Sequence, residues 1–192
     1  MKSIAYLPGL SFTHNFYIKE IKDSYNYCIF STSPKSKFTI NQNGKYIFSP
    51  MPFKILSRVL KTSYPIYCKS IDMNIYNYIT SKSPKKFDIY HCNACFGYGT
   101  FKVIKKNSNL KILEEQNSHT QFCNNLLIKE YKKFGIQYEF DKKIVEKRLE
   151  EYNLADKILV PSLYSQESFL KMGIDKKKLF RNMLVQDKYL EA

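Results

Sequence analysis

Short apolar segments alternate with segments of helical spacing along the chain, and this alternation restricts the folds that the chain can adopt. Many of the apolar runs are of strand length. Between them lie turn residues and segments in which apolar residues are three and four positions apart, as on one face of a helix. Strand, helix and strand at this spacing are typical of βαβ units, whose strands lie parallel in one sheet. We therefore predict a Rossmann-like, doubly wound α/β domain with a mostly parallel sheet of six or seven strands and helices on both faces. The strands are predicted to include 3–8, 26–31, 87–91, 110–114 and 157–161.

Helices are predicted where apolar residues fall on one face of a 3.6-residue repeat. The segments 122–134 and 145–152 both show this pattern, and Asp141 is a suitable N-cap for the second of them. Gly173 is a suitable end for a helix over 164–172. Further helices are predicted over 14–24, 52–61 and 99–106, and a further strand over 45–50.

Charge is the most unusual feature of the composition. The chain has 192 residues, which suits one domain, and its 31 Lys and Arg exceed its 17 Asp and Glu to give a net charge of +14. This balance favours anionic partners such as a lipid surface, nucleic acid or a phosphorylated substrate, although a basic surface also serves solubility alone. Nucleic acid is not expected, because the chain has neither an aromatic platform nor a known binding motif. No apolar run approaches the roughly 18 residues that a membrane span needs.

Five cysteines at irregular spacing favour a reducing, cytoplasmic environment over a secreted disulfide framework. Cys92 and Cys95, followed by His119 and Cys123, form a set that zinc could use if the four side chains converged. The alternative is that these are small buried thiols, because the CxxC motif continues an apolar strand. We expect no metal and no cofactor.

Polar residues follow several predicted strands at the point where each strand ends. Ligands of a doubly wound sheet bind in the crevice outside the carboxyl ends of its strands, so these residues are candidates for a site. For any one of them, a role in capping or in the core remains open. The candidates are Gly9, His14, His91, Asn93, Glu115, Asn117 and His119.

Three blocks of sequence carry a resemblance to a known family. They are "FDIYHCNACFGYG" (87–99), "LKILEEQNSHTQFCNNLLIKEYKKFGI" (110–136) and "ADKILVPSLYSQESFLKMGIDKKKLF" (155–180). Together they resemble the N-terminal, acceptor-side domain of retaining glycosyltransferases of family 4 type with the GT-B architecture. The resemblance covers residues 86–182, and the first 80 residues match only in the order of their strands and helices.

The resemblance implies particular roles for the candidate residues. His119, in a turn similar to the family's His-Thr turn, would be catalytic and would contact the acceptor and the transferred sugar. Glu115 and Asn117 would orient hydroxyl groups beside it, and the whole polar turn would line an open cleft. Substrate contacts are also expected from Gly9, His14, His91, Asn93 and Thr120.

The resemblance also implies the partners. In the family a second, C-terminal domain holds most of the nucleotide-sugar donor, and we expect that domain to be absent from residues 1–192, so that transfer needs a second domain. The expected acceptor is a glycan or a lipid-linked sugar, and the expected location is the cytoplasm, with peripheral contact at the inner face of an anionic membrane. The alternative is a non-catalytic module of the same fold that binds a glycan, an anionic membrane surface or a protein partner.

Overall fold

A computed structural model of the chain describes residues 2–9, 26–31, 44–46, 78, 87–104 and 109–181. Within these residues seven strands form one sheet, and each pair of neighbouring strands is parallel. The strands are β1 (Ser3–Gly9), β2 (Asn26–Ser31), β3 (Gly44–Tyr46), β4 (Ile89–Asn93), β5 (Leu110–Glu114), β6 (Lys157–Val160) and β7 (Leu179–Arg181). The described helices are α1 (Tyr98–Val103), α2 (Thr120–Lys133), α3 (Lys142–Leu154) and α4 (Leu163–Lys171), with a 3₁₀ turn at Lys176–Lys178.

The strand order β3-β2-β1-β4-β5-β6-β7 is that of a doubly wound sheet. The chain adds strands on one side of β1 and then crosses to add the others on the opposite side. The predicted Rossmann-like α/β fold is thereby confirmed. The order reverses between β1 and β4, so the crevice for a ligand is expected outside Gly9 and Asn93, where these two strands end.

Among the described residues, the main hydrophobic cluster lies on one face of the sheet. Because side chains alternate along a strand, every second residue of the central strands points to this face. Phe101 of α1, Tyr152 of α3 and Phe169 of α4 cover it, and each is almost completely buried. Their strand partners are Ala5, Leu7, Tyr90, Cys92, Leu113, Ile158 and Val160.

Local sequence signals set the ends of α3 and α4. The Asp141 carboxylate accepts hydrogen bonds from the backbone N–H groups of Lys143 and Ile144, which confirms the predicted N-cap of α3. The Ser162 hydroxyl accepts from the Ser165 N–H and begins α4 in the same way. At the other end Gly173 has a φ of +85°, and the N–H of Ile174 donates to the carbonyl of Phe169. This is a Schellman motif, which requires the left-handed conformation that glycine adopts at least cost.

The structure extends one predicted strand and leaves several predicted elements outside its described residues. β4 continues to Asn93, beyond the expected end at residue 91, because Cys92 continues the alternation into the core. His91 therefore lies within the strand. The helices expected over 14–24 and 52–61 fall outside the described residues. No helix in the described part of the chain is long and apolar enough to cross a membrane.

Candidate functional site

Polar side chains gather at the carboxyl ends of β1, β4 and β5. The register pairs Tyr6 with His91 across β1 and β4, and Asn93 with Glu114 across β4 and β5. All four therefore project from the sheet face opposite the apolar core. Tyr6, Asn93 and Glu114 are buried and His91 is partly buried. This cluster of four polar side chains, three of them buried, lies where a doubly wound sheet binds its ligand.

His91 and Glu114 form the centre of this cluster. Nε2 of His91 lies 3.0 Å from Oε2 of Glu114, and the imidazole packs on the ring of Tyr6 with the centroids 5.1 Å apart. At this distance the carboxylate oxygen faces the imidazole nitrogen and limits the orientations that the ring can adopt. An oriented imidazole can exchange a proton with a sugar hydroxyl, as in general acid–base catalysis.

The carboxylate of Glu115, the next residue, makes hydrogen bonds within the protein. Its Oε1 accepts from the N–H groups of Gln116 and Asn117, at 3.0 and 3.3 Å. Its Oε2 accepts from Nη2 of Arg148 at 2.5 Å and from the hydroxyl of Tyr152 at 2.7 Å. The carboxylate is buried and its acceptor positions are filled. The expectation that Glu115 orients a sugar hydroxyl in an open cleft is therefore wrong for this structure, in which Glu115 shapes its own turn.

The same carboxylate raises the pKa values of Arg148 and Tyr152. Burial lowers the pKa of Arg148, but the adjacent Glu115 outweighs this effect and holds the pKa above its usual range. Burial, and then the negative charge of Glu115, raises the pKa of the Tyr152 hydroxyl. The network therefore consists of a charged pair and a neutral phenol, and it continues to Thr120, whose hydroxyl shares a 2.9 Å hydrogen bond with that of Tyr152.

His119 is enclosed by aromatic rings. Its side chain is 3% exposed, with the Tyr152 and Phe169 ring centroids 4.8 and 5.0 Å away, and its backbone N–H donates to the Ser168 hydroxyl. Burial, and then the charge of Arg148, lowers its pKa to about 4. The imidazole is therefore neutral near pH 7, and its Nδ1 has no hydrogen-bond partner among the described residues.

These positions correct the expectation of an open polar turn. His119 and Thr120 are buried, because aromatic side chains of α3 and α4 pack over them, and only Asn117 of the predicted contacts in this turn is exposed. A contact between His119 and a sugar stays a prediction. Gly9 ends β1 beside β4, and His14 lies outside the described residues.

A second buried carboxylate organises the turn after β4. Glu151 of α3 is 0% exposed, and its two oxygens accept from the N–H groups of Cys95, Gly97 and Tyr98 at 2.7, 2.9 and 2.8 Å. Burial raises its pKa from 4.5 to about 7, against the opposing effects of these three donors and of Arg148. The turn itself is unusual, because Cys95 is a non-glycine residue with a φ of +77°.

Sequence reasoning missed Glu114 and Glu151. Glu114 is in register with Asn93, so strand alternation and pairing could have selected it over Glu115. Glu151 shares one helical face with Ile144, Arg148 and Ala155, at spacings of four, three and four residues. That spacing predicts a buried position, but the sequence does not reveal which backbone groups the carboxylate meets there.

The possible zinc set does not assemble. Cys92 faces the core, and burial raises the pKa of its thiol well above the ordinary value. Within the described ranges, no group of three or more His, Cys, Asp or Glu side chains is placed to hold a metal ion. Cys92, Cys95 and Cys123 form no disulfide among the described residues.

Comparison with known proteins identifies the fold. No protein-family model and no curated protein matches the sequence. Among solved structures, UDP-GlcNAc 2-epimerase from Methanocaldococcus jannaschii is similar with a TM-score of 0.51 and 12% identity, over 93% of this chain and 45% of that one. A putative UDP-N-acetylglucosamine 2-epimerase from Listeria monocytogenes and an S. aureus MnaA–UDP complex each give 0.51 and 13%, over 93% of this chain and 43% of theirs.

At this identity the likeness shows a shared fold, which is a GT-B-like Rossmann domain. The chain spans less than half the length of each of these three structures.

Proposed function

We propose that this chain is the acceptor-side domain of a glycosyltransferase of the GT-B type, which transfers a sugar from a nucleotide-sugar to a glycan or a lipid-linked acceptor. The family 4-like sequence blocks support this proposal, as does a fold shared with structures described as UDP-sugar epimerases and as a UDP complex. Transfer requires a second domain to hold the donor, because catalysis needs donor and acceptor positioned together.

The observation that carries the proposal is the His91–Glu114 pair at the reversal of strand order. Glu114 orients the imidazole, and His91 then binds or deprotonates a hydroxyl group of the sugar or acceptor. Asn93 carries an amide on the same face, but it is as buried as His119, so its contact with a ligand would also require this edge of the sheet to open. The Gly9 backbone borders the crevice. Asn117 supplies a second amide, while Glu115, Thr120 and His119 hold the turn that carries it. The predicted contact of His119 with the transferred sugar would require this turn to open as the second domain closes.

An NMR titration of the ¹⁵N-labelled chain tests the proposal. UDP-N-acetylglucosamine, GDP-mannose, UDP and N-acetylglucosamine serve as probes, with the chain alone and mixed with a candidate donor-binding domain. A sugar-containing probe is expected to shift amide signals of residues 89–97 and 114–118. His91→Ala should weaken that response at least several-fold, whereas Tyr164→Ala, which changes an exposed aromatic residue on α4, should leave it unchanged. Shifts that avoid this edge of the sheet, or that are equal in His91→Ala, would contradict the proposal.

The exposed face of α2 favours an additional partner, an anionic membrane surface. After Asn124 no residue of α2 is buried, and Leu126, Ile128 and Tyr131 are exposed. Just beyond the helix, Phe134 is 78% exposed and Ile136 is 54% exposed. Lys129, Lys132 and Lys133 lie among these apolar residues, and Lys133 is ion-paired with Glu130. Each Lys near an anionic bilayer contributes about 1 kcal/mol of attraction.

The chain has no Trp, which gives this second proposal a sharp test. Phe134→Trp introduces a single reporter, whose emission should shift to the blue on anionic liposomes and be quenched by brominated lipid. Phe180→Trp, at an exposed aromatic residue of β7, is the matched control and should not respond. Binding should fall as salt rises. Equal binding to neutral liposomes, or none at low salt, would rule out this docking surface and leave a protein partner as the alternative occupant.

A further inference from the structure

The turn after β4 occupies a position where doubly wound folds commonly bind an anion. Backbone N–H groups at such a turn point toward the crevice and can bind a phosphate group. A residue with a left-handed conformation within the turn helps successive N–H groups to converge into an anion-binding nest. Cys95, with its φ of +77°, has this conformation.

In this protein the converging N–H groups already bind the carboxyl group of Glu151, and two of them, those of Gly97 and Tyr98, lie at the N-terminal end of α1. Oε2 of Glu151 accepts from Cys95, and Oε1 accepts from both Gly97 and Tyr98, all within 2.9 Å. The carboxylate enters from α3, on the core side of the sheet, and is completely buried. A bound phosphate would have to displace it and leave a buried carboxyl group without its three N–H donors, which is unfavourable.

The charges around this turn also disfavour a phosphate. Arg148, the cation that packs beside Glu151, is bound to the Glu115 carboxylate. Across the edge of the sheet, Glu114 adds a further carboxylate, which is paired with His91. The thiols of Cys92 and Cys95 add no positive charge. What the edge offers a ligand is an imidazole, carboxylate and amide groups, which suit hydroxyl groups.

We infer that Glu151 is a specificity-determining residue that closes the turn after β4 to phosphate, so that this part of the crevice binds the uncharged hydroxyl groups of a sugar. The inference rests on the proposed function for the identity of the ligand as a sugar. The phosphates of a nucleotide-sugar must then be bound elsewhere, by the turn after β1 or by a second domain. Glu151 acts through the backbone and does not itself contact the ligand.

Anion titrations followed by ¹⁵N NMR test the role of Glu151 without a sugar. In the wild-type chain at pH 8, inorganic phosphate should leave the amide signals of Cys95, Gly97 and Tyr98 unshifted. In Glu151→Ala, which removes the internal carboxylate, formate should shift the same three signals in a saturable manner. Glu150→Ala, at the exposed neighbouring position, should behave as the wild type.

The outcomes separate this inference from the proposed function. Saturable shifts of these amides by phosphate in the wild type would overturn the inference, as would no response of a folded Glu151→Ala variant to formate. If that variant is unstable, formate should raise its melting temperature while leaving that of the wild type unchanged, and the absence of this rescue would also count against the inference. Failure of every sugar-containing probe to bind the wild type would instead remove the proposed function, and the formate result does not depend on it.

Discussion

The turns after β4 and β5 lie side by side at the carboxyl edge of the sheet, and each is organised by a buried carboxylate through different partners. Glu115 lies within the turn after β5 that it stabilises, and Arg148 of α3 balances its charge. Glu151 comes from α3 to the turn after β4, where its direct partners are backbone N–H groups. Residues of one helix, α3, therefore hold both turns.

A full ion pair and a set of backbone dipoles stabilise a buried charge by different amounts. The cation beside Glu115 offsets the cost of removing that carboxylate from water. The N–H groups around Glu151 offset only part of it, so its pKa remains at about 7. The turn after β5 should therefore depend on an interaction between two side chains, and the turn after β4 on pH.

The largest expected effect comes from breaking the ion pair. Arg148→Met keeps most of the side-chain volume but leaves Glu115 buried without its cation. The free energy of unfolding, measured by urea denaturation at pH 7, should fall by about 3–5 kcal/mol.

Two further variants control this experiment. The double variant Glu115→Gln with Arg148→Met should recover part of the loss, because no unpaired charge remains. Lys142→Met, at an exposed position of the same helix, should change stability by no more than about 0.5 kcal/mol. A small loss in Arg148→Met would mean that the turn does not depend on the pair.

A smaller effect is expected from pH, with opposite signs for Glu151 and His119. Between pH 4.5 and 7 the native chain holds a proton on Glu151 that the unfolded chain has lost, so this group's stabilisation falls as pH rises. Between pH 4 and 6.5 the unfolded chain holds a proton on His119 that the native chain lacks, so its contribution rises with pH. Each slope is at most about 1.4 kcal/mol per pH unit, so the two largely cancel in the wild type.

Single variants should reveal the two slopes. The unfolding free energy of the wild type relative to Glu151→Gln should fall by about 2–3 kcal/mol from pH 5 to 7 and then level off. The wild type relative to His119→Phe should instead gain stability from pH 4.5 to 6.5. If the difference in unfolding free energy between the wild type and Glu151→Gln does not change with pH, the Glu151 carboxylate stays charged throughout this range.

The smallest effect is a gain in stability in the turn after β4. Cys95→Gly removes a side chain from a residue with a φ of +77°, so the variant should be more stable by about 0.5–1 kcal/mol in thermal unfolding. Cys123→Gly, within α2, is the matched control and should be less stable by about 1 kcal/mol. A loss of stability in Cys95→Gly would indicate that the packing of the Cys95 side chain against the core outweighs the strain of its backbone.

The fold could be predicted from the sequence, because strand alternation, apolar helix spacing and capping residues are all local patterns. Alternation located β4, β5 and β6, and Asp141 and Gly173 set the ends of the helices that follow from apolar spacing. The predicted end of β4 lies two residues before the observed end, because polar residues such as His91 and Asn93 are also typical of the start of a turn. Both lie on the strand face opposite the core, where alternation permits polar residues.

The candidate site was less predictable, because it depends on contacts between distant residues. His91 and Asn93 lie at the carboxyl end of β4, and nothing local in the sequence shows that Glu114 is the partner of His91. The turn carries consecutive polar side chains, and nothing local shows that Tyr152 and Phe169, more than 30 residues away, enclose His119.

The central position of β1 sets the order in which the sheet can be completed during synthesis. Ile4, Ala5, Tyr6 and Leu7 pair with residues 89–92, and Ser3 donates both its N–H and its hydroxyl to Asp88, 85 positions later. At ribosomal rates of about 5–20 residues per second, one edge of β1 lacks its partner strand for roughly 4 to 17 seconds. An unpaired strand edge can pair with another chain, so a nascent chain that pauses before residue 93 is the form of this protein most exposed to aggregation.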